Sequence, residues 1–459
     1  MLILKLNTLS AEDLFAVERR LLRWTDVKQQ PLESVDLDFN ILNHHRADVY
    51  GHLLGMAMHL QIHETLGVDE SQLLDFFIDV DAAYLDAPYH SFYHAVDIVA
   101  VLYYMIIHLK GKEYLSPLHI AIIFISALCH DVGHPGYNNL YLRNTQADIA
   151  LKYQGESILE SLAVEITRQL IERHQLLRNV SCASRFMTSL EDLILATDMA
   201  HHYDLQAEAR QLSDLLSYTK QTNEEGQEED EQCCKSATFQ DVVPCDRGSV
   251  SADAHYQSFS RVLLHAADIS NTVRPWPICK QWSDRIVAEF FRQGDAERAA
   301  GLPVSPGMDR FCAVRETMSV NFGDVVVKPY FEALTQLLPE ADVFLAILTD
   351  NRDQWHQLQE GPSIFMPCCH VYERQFPKGL CNPNRHPNGR RVSVAAGTVT
   401  IPNYLCQTRP KGEWCRPKSL STAIFSTDPL LPRLSLFYFN QRRSCDLTTT
   451  ATTIQVKMD

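Results

Sequence analysis

Residues 120–139 read IAIIFISALCHDVGHPGYNN. The first ten are almost wholly apolar, which predicts a helix buried on more than one face. His130 and Asp131 follow at once. His134 lies one helical turn beyond His130, and Pro135-Gly136 then stops the helix, so the polar side chains collect at its end. An exposed polar helix terminus is the competing reading, but it leaves the apolar run unexplained. That run carries the charged groups into the core, where an unpartnered charge costs several kcal/mol. A bound metal removes the conflict. The adjacent imidazole and carboxylate suit a borderline metal beside a harder one, and the two oxygens of Asp131 can bridge both.

Two other segments carry matching chemistry. In Tyr89–Asp97 (YHSFYHAVD), His90 and His94 are four apart and share a face if the segment is helical, with Asp97 on the same side. Alone, this spacing also fits core histidines. In His265–Asn271 (HAADISN), Asp268 ends an apolar helical stretch, either as a further carboxylate ligand or as a cap for the next helix. Together His94, His130, Asp131 and Asp268 form a two-histidine, two-aspartate set suited to Zn²⁺. A second ion beside Asp131 has few protein ligands and relies on water, which suits Mg²⁺ or Mn²⁺.

Helix-period patterns run from about residue 46 to 360, including 156–171, 189–200 and 259–270, so the expected fold is all-α. The expected organisation is an N-terminal helical extension over 1–45, a catalytic domain over 46–360 and a weakly structured tail over 361–459. Within the domain, residues 220–253 hold a dense acidic run that reads as an inserted loop. In the tail, VSVAAGTVTI is the one strand-like run. The 459 residues carry a formal net charge of −16, which argues against nucleic acid or an anionic membrane as the main partner. An anionic small substrate stays allowed, because a bound metal reverses the sign of its own pocket. No apolar run is long enough to span a membrane. Thirteen scattered cysteines without a secretion signal favour reduced thiols and a cytoplasmic location.

The segments HDxxHPGxxN at His130–Asn139, YHxxxHAxD at Tyr89–Asp97 and HAADISN at His265–Asn271 together resemble class I 3′,5′-cyclic-nucleotide phosphodiesterases. Ala196-Thr197-Asp198-Met199 with His202, the run from Gln281 to Asp295, Ser305-Pro306 with Asp309, and Asn351-Arg352 extend the resemblance over about 46–360. It implies a compact multi-helix catalytic domain that hydrolyses cAMP, cGMP or both with two divalent metals, terminating a cyclic-nucleotide signal. By resemblance, His94, His130, Asp131 and Asp268 hold the first metal, His90 donates a proton, and Glu160 orients His90 or a water. His134 holds waters in the same way. Phe322 stacks on the base, Ile286 closes its other face, and Tyr89 and Asn271 border the pocket. The chain departs from the family at Ser319, where the family has a glutamine, and at Glu160-Ser161-Leu162-Ala163, where it has two histidines. Serine is too short to make the paired amide bonds of glutamine. An HD-type phosphohydrolase with an altered substrate and a non-catalytic nucleotide-binding scaffold are therefore kept as alternatives. Whether the chain forms a homodimer is left open.

Overall fold

The apolar run is a helix, Pro117–Cys129. The Ser116 hydroxyl accepts the His119 N–H at 3.3 Å, and Pro117 occupies the first turn, where its missing N–H costs nothing. Every residue from His119 to Cys129 is buried. The helix stops earlier than expected, at Cys129, and His134 is not a helical turn beyond His130. Gly133 takes φ +80° and Gly136 φ +74°, both in the left-handed region. A Cβ on Gly133 would also lie 2.7 Å from Ile166 Cδ1. The segment after Cys129 is therefore a tight turn that fans His130, Asp131 and His134 in different directions.

The computed structural model describes residues 2–25, 35–155, 157–225, 250–360, 390–394 and 397–401. In chain order the helices begin α1 Ala11–Thr25, α2 Arg46–His59, α3 Ile62–Leu66, α4 Glu70–Ala83, α5 Phe92–Ile107, α6 Pro117–Cys129, α7 Asn139–Asn144 and α8 Asp148–Lys152. They continue α9 Ile158–Arg173, α10 Ala183–Leu195, α11 His202–Glu225, α12 Val250–Asp268, α13 Trp276–Ala299, α14 Arg315–Phe322, α15 Lys328–Leu337 and α16 Asp342–Glu360. The strand-like run forms an antiparallel hairpin, β1 Arg390–Val394 with β2 Gly397–Ile401, the only sheet among the described residues. The fold is all-α otherwise. α1 lies in the expected extension and packs along α2. Most of the acidic loop (226–249) and of the tail (361–389, 395–396 and 402–459) lies outside the described residues. No helix among the described residues is long and apolar enough to cross a membrane.

α6 sits centrally, packed against α5, α9, α10 and α12. This brings the C-terminal ends of α6 and α12 and the N-terminal end of α5 to one place. α13, α14 and α16 pack on one another and form the opposite wall. Asp97 does not face His94's neighbours as the spacing suggested. Its Oδ1 accepts from Arg274 Nη1 at 2.8 Å, and both side chains are buried. Arg274 also donates to the carbonyls of Leu37 (3.2 Å) and Phe39, while Asn351 Nδ2 donates to the carbonyls of Thr272 and Arg274 at 2.8 and 2.7 Å. This network ties the 35–40 segment, α5, α16 and the turn after α12 together. Removing one partner leaves a buried charge uncompensated, so Asp97→Ala or Arg274→Ala is expected to cost about 3–5 kcal/mol. Urea unfolding of the variants checks this, and a loss below about 1 kcal/mol would count against the network's role.

Candidate metal centre

Four side chains converge where α5, α6 and α12 meet. His94 Nε2 lies 3.2 Å from Asp268 Oδ1 and 3.9 Å from Asp131 Oδ2. His130 Nε2 lies 3.0 Å from Asp131 Oδ2 and 3.4 Å from Asp268 Oδ1. His130 Nδ1 is 2.9 Å from the Ala127 carbonyl, which can only accept, so Nδ1 carries a proton and Nε2 faces the carboxylates. Neither His130 Nε2 nor Asp131 Oδ2 has an aligned hydrogen-bond partner, although both are buried. Neutral His130 would place a lone pair 3.0 Å from a carboxylate oxygen. A cation between them resolves that repulsion, and the imidazole and carboxylate donors fit a divalent metal. Without one, a proton on His130 does the same work. Burial opposes its charge, but Asp131 and Asp268 outweigh burial and raise the imidazole well above its ordinary range. Burial likewise acts to raise Asp131 and Asp268, and the facing histidines overcome it and hold both acids low.

His90 is not on α5, contrary to the shared-face expectation. α5 begins at Phe92, and His90 sits in a turn closed by the Ser91 N–H donating to the Tyr89 carbonyl at 2.7 Å. Glu289 on α13 fixes that turn: its Oε2 accepts the Tyr89 and His90 N–H groups at 2.9 and 3.2 Å, and its Oε1 bonds His90 Nδ1. Burial, the largest influence on His90, disfavours its charge, yet Glu289 and Asp131 raise it to about 9. Burial alone would raise Glu289, but His90 brings it down to about 2. His134 stacks on His90 with ring centroids 4.0 Å apart, and its Nδ1 accepts the Gly136 N–H at 3.0 Å. Burial and then His90 lower His134 to about 3, so its ring is neutral.

These groups line a cavity of about 160 Å³. Tyr89, His90, Asp131, His134, Glu160, Asp268, Asn271, Ile286 and Phe322 all reach it, while His94 and His130 lie behind its floor. Ser319 does not line it. It faces an adjoining chamber of about 20 Å³ that shares Asn271, Ile286, Phe290 and Phe322 with the main cavity, and its hydroxyl is 2.8 Å from that of Ser283.

Sequence reasoning passed over three lining residues. Glu289 stands three places after Ile286 in a quoted motif, and its signal was an acid on the buried face of α13. Asp198 and Asn139 were also quoted without a role. Asn139 Nδ2 donates to Glu160 Oε2 at 3.0 Å, and Asp198 accepts from Ser157 Oγ and the Ala200 N–H, both at 2.9 Å. Burial first, then Asp198, raises Glu160 to about 8 against the pull of Asn139. Glu160 and Asp198 are both open to the cavity.

Residues 89–348 match the 3′5′-cyclic nucleotide phosphodiesterase family. The mouse 3′,5′-cyclic-AMP phosphodiesterase 4C is 31% identical over 300 residues, covering 64% of this chain and 40% of the relative. A Drosophila melanogaster high affinity cGMP-specific 3′,5′-cyclic phosphodiesterase is 28% identical over 305 residues, covering 66% of this chain and 18% of the relative. The chain thus spans well under half the length of these curated relatives. In structure it is similar to LmjPDEB1 in complex with IBMX, with a TM-score of 0.63 and 22% identity, over 77% of this chain and 99% of that one.

Zinc added at one hundred times its Kd to chelator-stripped protein is expected to add about 2.7 kcal/mol of stability. His130→Ala should remove most of that gain. Thermal melts of both proteins check it, and an unmoved melting temperature in the stripped wild type would count against the centre.

Proposed function

The chain belongs to the 3′,5′-cyclic nucleotide phosphodiesterase family, and from that premise we propose that it hydrolyses a 3′,5′-cyclic nucleotide to the 5′-monophosphate. The observation that carries this reading is the opposed pair, His130 Nε2 and Asp131 Oδ2, at the floor of a cleft lined by His90. His94, His130, Asp131 and Asp268 are assigned to a first divalent ion, with zinc favoured by the two imidazoles. Asp131, with Glu160 and Asp198 nearby, is assigned to a second, magnesium or manganese. When bound, such ions supply Lewis-acid chemistry, acidifying water and withdrawing charge from phosphate. The catalytic unit is assigned to 46–360.

His90 is assigned as the general acid. Water adds to phosphorus, the P–O3′ bond breaks, and the Nε2 proton of His90 passes to O3′. A proton from the attacking water restores the imidazolium. Glu289 holds Nδ1, so the other ring nitrogen is left for the substrate, and the carboxylate stabilises the charged ring. His134 stacks against that ring and limits its rotation. Glu160, protonated or cation-bound, positions water beside Asp131. Ile286 and Phe322 are assigned to the two faces of the base, with Tyr89 and Asn271 at its edge; the buried Asn271 Oδ1 has no partner and is free to accept from a ligand.

A second reading, the same chemistry on a base other than a purine, is favoured by Ser319. Its hydroxyl is occupied by Ser283 one chamber away, and two short hydroxyls form a less selective edge than an amide. A panel of cyclic purine and pyrimidine nucleotides separates the two readings.

Purified protein with zinc and magnesium is expected to hydrolyse cAMP, cGMP or both, and His90→Gln to lower kcat by ~10²–10⁴. Absence of turnover in a folded, metal-loaded sample would sink the proposal. The pH profile gives a separate check. His90 acts when protonated, so activity is retained below its pKa of about 9 and lost as pH rises through it. Glu289→Gln removes the carboxylate that supports the proton, and the alkaline limb of kcat/KM should move to lower pH. A limb that stays in place would show that His90 is not the titrating acid.

A further inference from the structure

Arg143, in the last turn of α7, has no place in the scheme above. It lines the same cavity and is half-buried there. Among the described residues it is the only lysine or arginine in that lining, set against five carboxylates: Asp131, Glu160, Asp198, Asp268 and Glu289. Among the described residues its guanidinium makes no salt bridge and no hydrogen bond, even though Glu160 and Asp198 line the same wall. Those acids are served by others: Glu160 by Asn139, and Asp198 by Ser157 and the Ala200 N–H. The neighbouring arginines that frame the cleft from outside are engaged, Arg285 with the Pro88 carbonyl and Arg292 with that of Pro135.

A guanidinium with its donors open to a concave, acid-rich cleft is a group waiting for an anion. Its planar fork matches phosphate oxygens, and low-dielectric walls strengthen the contact. Arg143 and Asn139 stand on α7 and Glu160, bonded to Asn139, on α9, whereas Ile286 and Phe322 belong to the α13 and α14 wall. Arg143 therefore serves the phosphate end of a nucleotide and not its base.

We propose that Arg143 is a phosphate-anchoring residue of this cleft, holding the dianionic 5′-monophosphate more strongly than the monoanionic cyclic diester. The inference rests on the proposed function for its choice of ligand. Its consequence is product retention: Arg143 favours binding of the anion and contributes little to bond breaking.

The test uses the full chain loaded with zinc and magnesium, with Arg143→Ala, Arg143→Lys and wild type compared. Calorimetric Kd values for 5′-AMP and 5′-GMP are expected to rise at least about tenfold in Arg143→Ala, the loss typical of a charged hydrogen bond. Arg143→Lys should fall between, because it keeps the charge and loses the fork. KM should rise less than the product Kd, kcat should not fall, and the salt dependence of product binding should flatten. Unchanged Kd values across the three proteins would overturn the proposal, as would a fall in kcat with binding unaltered. The calorimetry needs no turnover. A wild type that binds 5′-monophosphates through Arg143 yet hydrolyses nothing would refute the proposed function and leave this inference standing.

Discussion

Two electron-rich atoms, His130 Nε2 and Asp131 Oδ2, are held 3.0 Å apart in the protein interior, and the rest of the site is arranged around that contact. Such a pair is stable only with positive charge between or upon its members. The fold makes relaxation impossible by other means. α6 is buried from His119 to Cys129, and the Ala127 carbonyl fixes the His130 ring by the opposite nitrogen. Asp268 at the end of α12 and His94 on α5 close the remaining directions. Positive charge at this contact, whether a proton or a cation, is what the interior requires.

The parts of this site that the sequence revealed are those set by local pattern. The apolar run before His130 and Asp131 made their burial predictable, and the strand-like run in the tail is the hairpin. Local pattern failed where backbone turns override it. His90 and His94 are spaced for one helix face, yet the Tyr89–Ser91 turn and a helix start at Phe92 separate them; Ser91 ahead of an apolar run was the available cap signal. α6 ends at Cys129, ahead of Pro135-Gly136, and the positive φ of Gly133 and Gly136 shapes the turn that follows it. Asp97 shares the spacing of a ligand but answers to Arg274, some 177 positions away in the chain. Glu289 reaches His90 across a sequence separation of 199. No periodicity records contacts of that range.

The two walls of the cleft come from different sets of helices, so a change in one need not disturb the other. The floor depends on α5, α6 and α12, which are packed directly on one another. Ser319 lies on α14, which packs on α13 and α16, and its hydroxyl pairs with Ser283 rather than with any of the four convergent side chains. Glu289 joins the halves at the site itself, since it stands on α13 but anchors the turn that carries His90. Ser319 therefore sits in the adjoining chamber, apart from the groups at the floor of the main cavity. A change at 289 would reach both, because the same helix that places Ile286 in the cavity lining also holds the turn that carries His90.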